Sequence, residues 1–197
     1  MVAYVFNKIL ATGVRKGQIP AKTQSARDWF RSEAKSTTAS ASTVMKEADP
    51  TQYKANVTMG NMYLFQYEAK HKKTLPYFDR FPLIFPFKKA KGGFLGLNMH
   101  YLPLKQRAIL MDALYETASN DKYDARTKLR LSYDVLNNAS QFKWFAPTVH
   151  YYLGPQVRSR FVHIASTDWD TALFLPLESF EGASKSTVWK DSRRKVG

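Results

Sequence analysis

The sequence predicts an α+β fold: a small antiparallel β-sheet or SH3-like barrel, packed with several helices and preceded by a helical N-terminal arm. Three observations carry this. β-forming runs at residues 61–68 (NMYLFQYE), 81–87 (FPLIFPF) and 94–100 (FLGLNMH) follow one another over short loops. Apolar residues take up helical spacing after Pro103. A helix-compatible but weakly apolar segment fills the start of the chain.

In chain order, apolar residues at 2, 5, 6, 9 and 10 suit a short helix, which Gly13, Gly17 and Pro20 break. No basic leader precedes this stretch, so it reads as a helix and not as a signal peptide. Residues 21–48 are helix-compatible, anchored by Trp29, Phe30, Ala34, Val44 and Met45, with a low-complexity middle, STTASAST. Such a helix is marginal in isolation and needs a partner surface. Residues 1–57 are therefore expected to form an arm. The core domain is expected over 58–180, with its sheet at 58–102 and its helices at 103–176.

Pro82 and Pro86 demote the second β run to an edge strand or a bulged one. Lys91, Gly92 and Gly93 form a tight turn into the third. Leu104, Ala108, Leu110, Met111 and Leu114 then stripe one helix, and residues 124–136 make a second. The aromatic stretch 142–153 is expected to turn helical after Pro147, and Ser166 or Thr167 to cap a short helix that Pro176 ends. Residues 181–197 are polar and basic and are expected to be a tail.

The chain has 197 residues and is 44% hydrophobic, enough for one domain with a sizeable core. It has no cysteine, which excludes disulfides, thiolate catalysis and cysteine-based metal sites. No apolar run reaches the roughly 18 residues that span a bilayer. The formal charge is +14. The first 110 residues hold 18 basic and 6 acidic groups, and the last 33 hold 5 of each. A field of this size attracts phosphates or acidic protein surfaces.

The candidate contacts for such partners are two lysine clusters, Lys70, Lys72, Lys73 and Lys88, Lys89, Lys91, with Arg158 and Arg160, and with Arg193, Arg194 and Lys195. Aromatics interleave the lysines: Tyr77, Phe78, Phe81, Phe85, Phe87 and Phe94. Exposed, they would stack bases in a single-strand binder. Strand alternation instead places most of them in the core, with the lysines as a charged rim.

Motifs for catalysis are missing. His71, His100, His150 and His163 form no HExxH or HxH pattern. Asp168 and Asp170 flank Trp169, and positions two apart do not share a helix face; the macrodipole suits acids at a helix start. GGFLG is neither a dinucleotide fingerprint nor a P-loop. No catalytic residue, metal site or cofactor is expected.

At NMYLFQYEAKHKKTLPYFDRFPLIFPF, GGFLGLNMHYLPL and KDSRRK, the chain resembles small virion proteins of T-even-type contractile-tailed phages, cyanophages included, from about Thr23 to the C-terminus. The family is similar to head-completion or DNA-end-protecting proteins, with a tail or baseplate role as the alternative. The resemblance implies a non-enzymatic structural protein made in the host cytoplasm and built into the virion. Its partners would be other virion proteins, in multiple copies in a symmetric assembly, and the DNA backbone, with no membrane. A DNA-proximal neck, portal or inner-tail position leads. A soluble nucleic-acid-binding protein follows, and a metal-dependent nuclease using Asp168, Asp170 and a histidine comes last.

Overall fold

The computed structural model describes residues 4–18, 23–118 and 120–197. Val2, Pro20 and Ala21, to which the sequence assigned helix positions or a break, lie outside them. The architecture is α+β. Among the described residues it holds seven α-helices, a six-stranded sheet in the order β1-β7-β2-β4-β5-β6, and a two-stranded sheet, β3-β8. The six-stranded sheet is open, with β1 (Tyr53–Lys54) at one edge and β6 (Val149–Leu153) at the other, so the barrel alternative gives way to a sheet.

The three β runs become β2 (Met62–Leu64), β4 (Leu83–Ala90) and β5 (Gly93–Asn98). Their period of two is visible in what they bury. Met62, Leu64, Leu83, Phe85 and Leu97 face the main core. Tyr63, Phe65, Ile84 and Phe94 join Tyr152 and Phe161 in a second, aromatic core on the opposite face. β7 (Phe161–Ile164) alternates likewise and pairs antiparallel with both β2 and β1. β3 (Phe78–Asp79) pairs with β8 (Phe180–Glu181).

β4 lies in the middle of the sheet, not at its edge. Its one proline, Pro86, is accommodated by an irregularity in register between Pro86 and Lys88, as expected of a strand that cannot donate a full ladder of hydrogen bonds. The β4–β5 hairpin turns on Gly92, whose φ is +80°. A Cβ on Gly93 would stand 1.9 Å from the Tyr152 carbonyl, so only glycine lets β6 pair there.

Helices cover the main-core face. α1 (Val5–Arg15) and α2 (Gln24–Ser36) contribute Phe6, Ile9, Phe30 and Ala34, and α3 (Ala41–Glu47) contributes Val44 and Met45. The N-terminal helices thus find their partner surface in the chain's own core. The predicted 21–48 helix is split at residues 37–40, where Ser40 caps α3. α4 (Leu104–Ala118) and α5 (Ala125–Ala139) follow as predicted, α5 capped by Asp124. Residues 142–153 differ from expectation: a 3₁₀ segment leads into β6, because hydrogen bonding to the free edge of β5 wins over local helix propensity. α6 (Trp169–Phe174) ends before Pro176. The stretch read as a tail carries α7 (Lys185–Val196), capped by Ser184, which buries Val188, Ser192 and Val196.

Two buried arginines tie the helices to one another and to the segments beside them. Arg31 Nε donates to Asp170 and Nη2 to Asp112, both at 2.7 Å, joining α2 to α6 and α4. Arg107, fully buried, donates to the carbonyls of Leu102 (2.8 Å) and Leu173 (2.7 Å) and to Glu178 (2.6 Å). Burial raises the Glu178 carboxyl and the Arg107 guanidinium, with His100 and Lys185, lowers it; the net shift is downward, so Glu178 stays ionised.

Candidate nucleic-acid interface

Local sequence builds a groove between the end of β4 and the start of α5. After the register shift, Phe87 turns into the main core while Lys88 and Lys89 emerge exposed. α5 faces them. Asp124 accepts from Thr127 N at 2.7 Å to start the helix, and spacing by four residues then sets two rows. Arg126 and Arg130 form a charged row; Leu129 and Tyr133 form an apolar one. The groove has a volume of about 740 Å³, with Met59, Phe87, Leu129 and Tyr133 as its apolar lining and Lys88, Lys89, Arg126 and Arg130 as its charges. No aspartate or glutamate lines it among the described residues.

Helix physics opposes this arrangement. Arg126 sits in the first turn, where the macrodipole is already positive, and like charges four apart repel. Asp124 offsets part of this. Its carboxyl is held below the ordinary value by hydrogen bonds from Thr127, with Arg126 and Arg130 adding to the effect. None of the four groove cations makes an ion pair within 4.0 Å among the described residues. A cluster of cations maintained against its own repulsion is suited to an anion that arrives from outside.

The other predicted cations are dispersed. Lys72 and Arg158 converge on one carboxylate, Glu68, the latter at 3.0 Å. Arg160 Nη2 donates to the Tyr53 carbonyl at 3.0 Å and clamps the β1 edge. Arg194 pairs with Asp191 at 3.1 Å. Arg193 is exposed on α7 beside Trp144, at a small third cavity. Lys91 caps the β4–β5 hairpin, where its carbonyl accepts from the Tyr151 hydroxyl. Lys73 is exposed on the loop before Leu75, and Lys70 and Lys195 both line a second cavity. Arg126 and Arg130 were not among the predicted contacts. Their signal was an arginine pair at positions i and i+4 opening a helix.

The interleaved aromatics are mostly core. Phe78, Phe85, Phe87 and Phe94 are buried, and Tyr77 and Phe81 are half-buried, so these six rings form no open stacking face. His71 is exposed. His100 is buried and its Nδ1 donates to Asp79 at 2.7 Å. His163 lies half-buried against Tyr63. Asp170 is taken up by Arg31, while Asp168 is half-buried without a cation among the described residues and its carboxyl is pushed up to about 6 by burial. Among the described residues, no three His, Asp or Glu side chains are grouped to hold a metal. No helix is long and apolar enough to cross a membrane.

Fold and groove together define an α+β protein with a cation-lined groove. A family model described as phage T4 terminal DNA protecting protein matches residues 6–194. The chain belongs to that family, and the resemblance to T-even-type phage proteins resolves to its DNA-end protectors. No curated protein matches the chain in the comparisons made, nor does any solved structure.

Proposed function

We propose that this chain is a non-enzymatic virion protein that binds the terminus of phage DNA, at a DNA-proximal position such as the neck, portal region or inner tail. The β4–α5 groove holds the phosphate backbone. The observation that carries this is the set of four cations, Lys88, Lys89, Arg126 and Arg130, around one groove without a carboxylate. Family membership supports DNA as the anion. The uptake of Asp170 by Arg31 supports the non-enzymatic reading, because the carboxylate pair that a metal-dependent nuclease would use is thereby split.

Phosphate contacts release counterions, so affinity should fall with salt at a slope of about −3 to −4 if all four cations are used. Binding of end-labelled duplex across a salt series measures this. Protection of the same ends from an exonuclease separates end binding from coating of the duplex. Absence of binding at low salt would remove the proposal.

A second reading is a tail or baseplate subunit that touches only protein. Phe142 and Trp144, 61% and 63% exposed, favour it, since large exposed aromatics are common at protein interfaces. The same titration decides between them.

A further inference from the structure

The second cavity is enclosed by β6, the loop after Tyr67, the Met99–Tyr101 3₁₀ turn and the last turn of α7, and it has a volume of about 660 Å³, within the range of small-molecule sites, about 300–1,000 Å³. We infer that it receives the terminal nucleotide of a DNA strand, with the base against its ring wall and the phosphate at its lysine rim. The inference rests on the reading of the chain as a DNA-end binder, and it assigns the end itself to a place distinct from the backbone groove.

The wall is a continuous chain of rings. Tyr67 meets Tyr152 at 5.0 Å, Tyr152 meets His150 at 6.4 Å, His150 meets Tyr101 at 4.1 Å, and Tyr101 meets Tyr77 at 6.1 Å. Two of the hydroxyls of this wall accept hydrogen bonds from the protein. Tyr67 accepts from Leu153 N and Tyr152 accepts from Asn98 Nδ2. Tyr67, Tyr101 and Tyr152 are buried, so the ring surface this wall offers a ligand is that of the half-buried Tyr77 and His150, which suits a flat heterocycle better than a sugar or a peptide.

Charge orients the ligand. Lys70, His71 and Lys195 line the mouth, and neither lysine has an ion pair among the described residues. Asp79 lies at the wall, buried, accepting from His100 Nδ1, Asn98 Nδ2 and Phe81 N. A carboxylate there repels phosphate from the interior and keeps it at the lysines. His150 supplies a polar contact for the base. Burial lowers its pKa to about 4, so the ring is neutral. Its Nε2 must carry the proton, because it is bonded to the Pro147 carbonyl at 3.0 Å, and carbonyls only accept. Nδ1 is then an acceptor, without a partner among the described residues, fit for the N–H edge of a base.

The test uses the full chain and two duplexes, one ending in an unpaired nucleotide and the other in an abasic residue at the same place. Affinity is expected to be about tenfold weaker for the abasic end, the size of one base stack. Lys70→Gln with Lys195→Gln should shrink that difference while leaving the salt slope of the Lys88–Arg126 groove mostly in place. A 5-iodouracil at the unpaired end should photo-crosslink to Tyr67, Tyr77, Tyr101 or Tyr152 in the unmutated chain. Equal affinity for both ends with crosslinks elsewhere, while duplex binding stays salt-dependent, overturns this inference and leaves the groove reading standing. Failure to bind any duplex at low salt overturns both.

Discussion

Arg31 and Arg107 are buried, while Lys88, Lys89, Arg126 and Arg130 stand around an open groove, and the carboxylates are shared between the two sets very unevenly. Arg31 reaches Asp112 and Asp170, and Arg107 holds Glu178. The groove has none. With 16 acids against 30 bases, each carboxylate placed in the core is one fewer at the surface. The contrast teaches that one charge type serves two ends. Inside, guanidinium forks take up buried carboxylates and carbonyls and lock helices to one another. Outside, unpaired cations contribute little to folding and remain available to a polyanion.

The sharpest way to break the comparison is at Arg107. Replacing it with leucine leaves Glu178 buried without its main partner and takes the arginine donor from the Leu102 and Leu173 carbonyls. A loss of about 3–5 kcal/mol is expected in urea denaturation, with partial recovery in the double variant Arg107→Leu/Glu178→Leu. If the single variant is as stable as the parent, the buried arginines are not structural. Arg31→Met should cost somewhat less, about 3 kcal/mol, because Asp112 remains partly solvated and only Asp170 is stranded.

Asp168 gives a smaller effect of opposite sign. Its carboxyl titrates at about 6 in the fold against an ordinary 3.8, so the folded state binds the proton more tightly. Stability should therefore fall as pH rises from about 4 to 6 and stay lower above. Asp168→Asn should gain about 2 kcal/mol at pH 8 and nothing at pH 4, read from thermal unfolding at both values. An equal effect at both pH values would mean that the carboxyl is not raised. Smallest of all, Lys88→Gln and Lys89→Gln should move stability by no more than about 0.5 kcal/mol each, as for other exposed positions.

Much of the sheet was legible because it depends on local alternation. Residues 61–68, 81–87 and 94–100 each mark a strand, and the Gly92–Gly93 turn fixes the hairpin between two of them. β6 was not legible, since Val149–Leu153 is extended only because β5 presents a free edge to it. α7 hid behind its polarity, although Ser184 followed by Thr187 was a usable start signal. The Arg31–Asp170 pair spans 139 positions and leaves no trace in spacing. The lysine clusters pointed to Lys88 and Lys89, but a cluster in sequence is not a cluster in space. Lys72 and Arg158 end on one glutamate, and the groove draws its other half from Arg126 and Arg130 on a distant helix.

The most direct measurement is the salt dependence of DNA-end binding by the parent chain and by a Lys88→Gln/Lys89→Gln/Arg126→Gln/Arg130→Gln variant of matched thermal stability. The predicted result is a slope of log affinity against log salt that becomes shallower by about 3 to 4 in the variant, one step per lost phosphate contact. An unchanged slope in a folded variant would contradict the assignment of the groove to the DNA backbone.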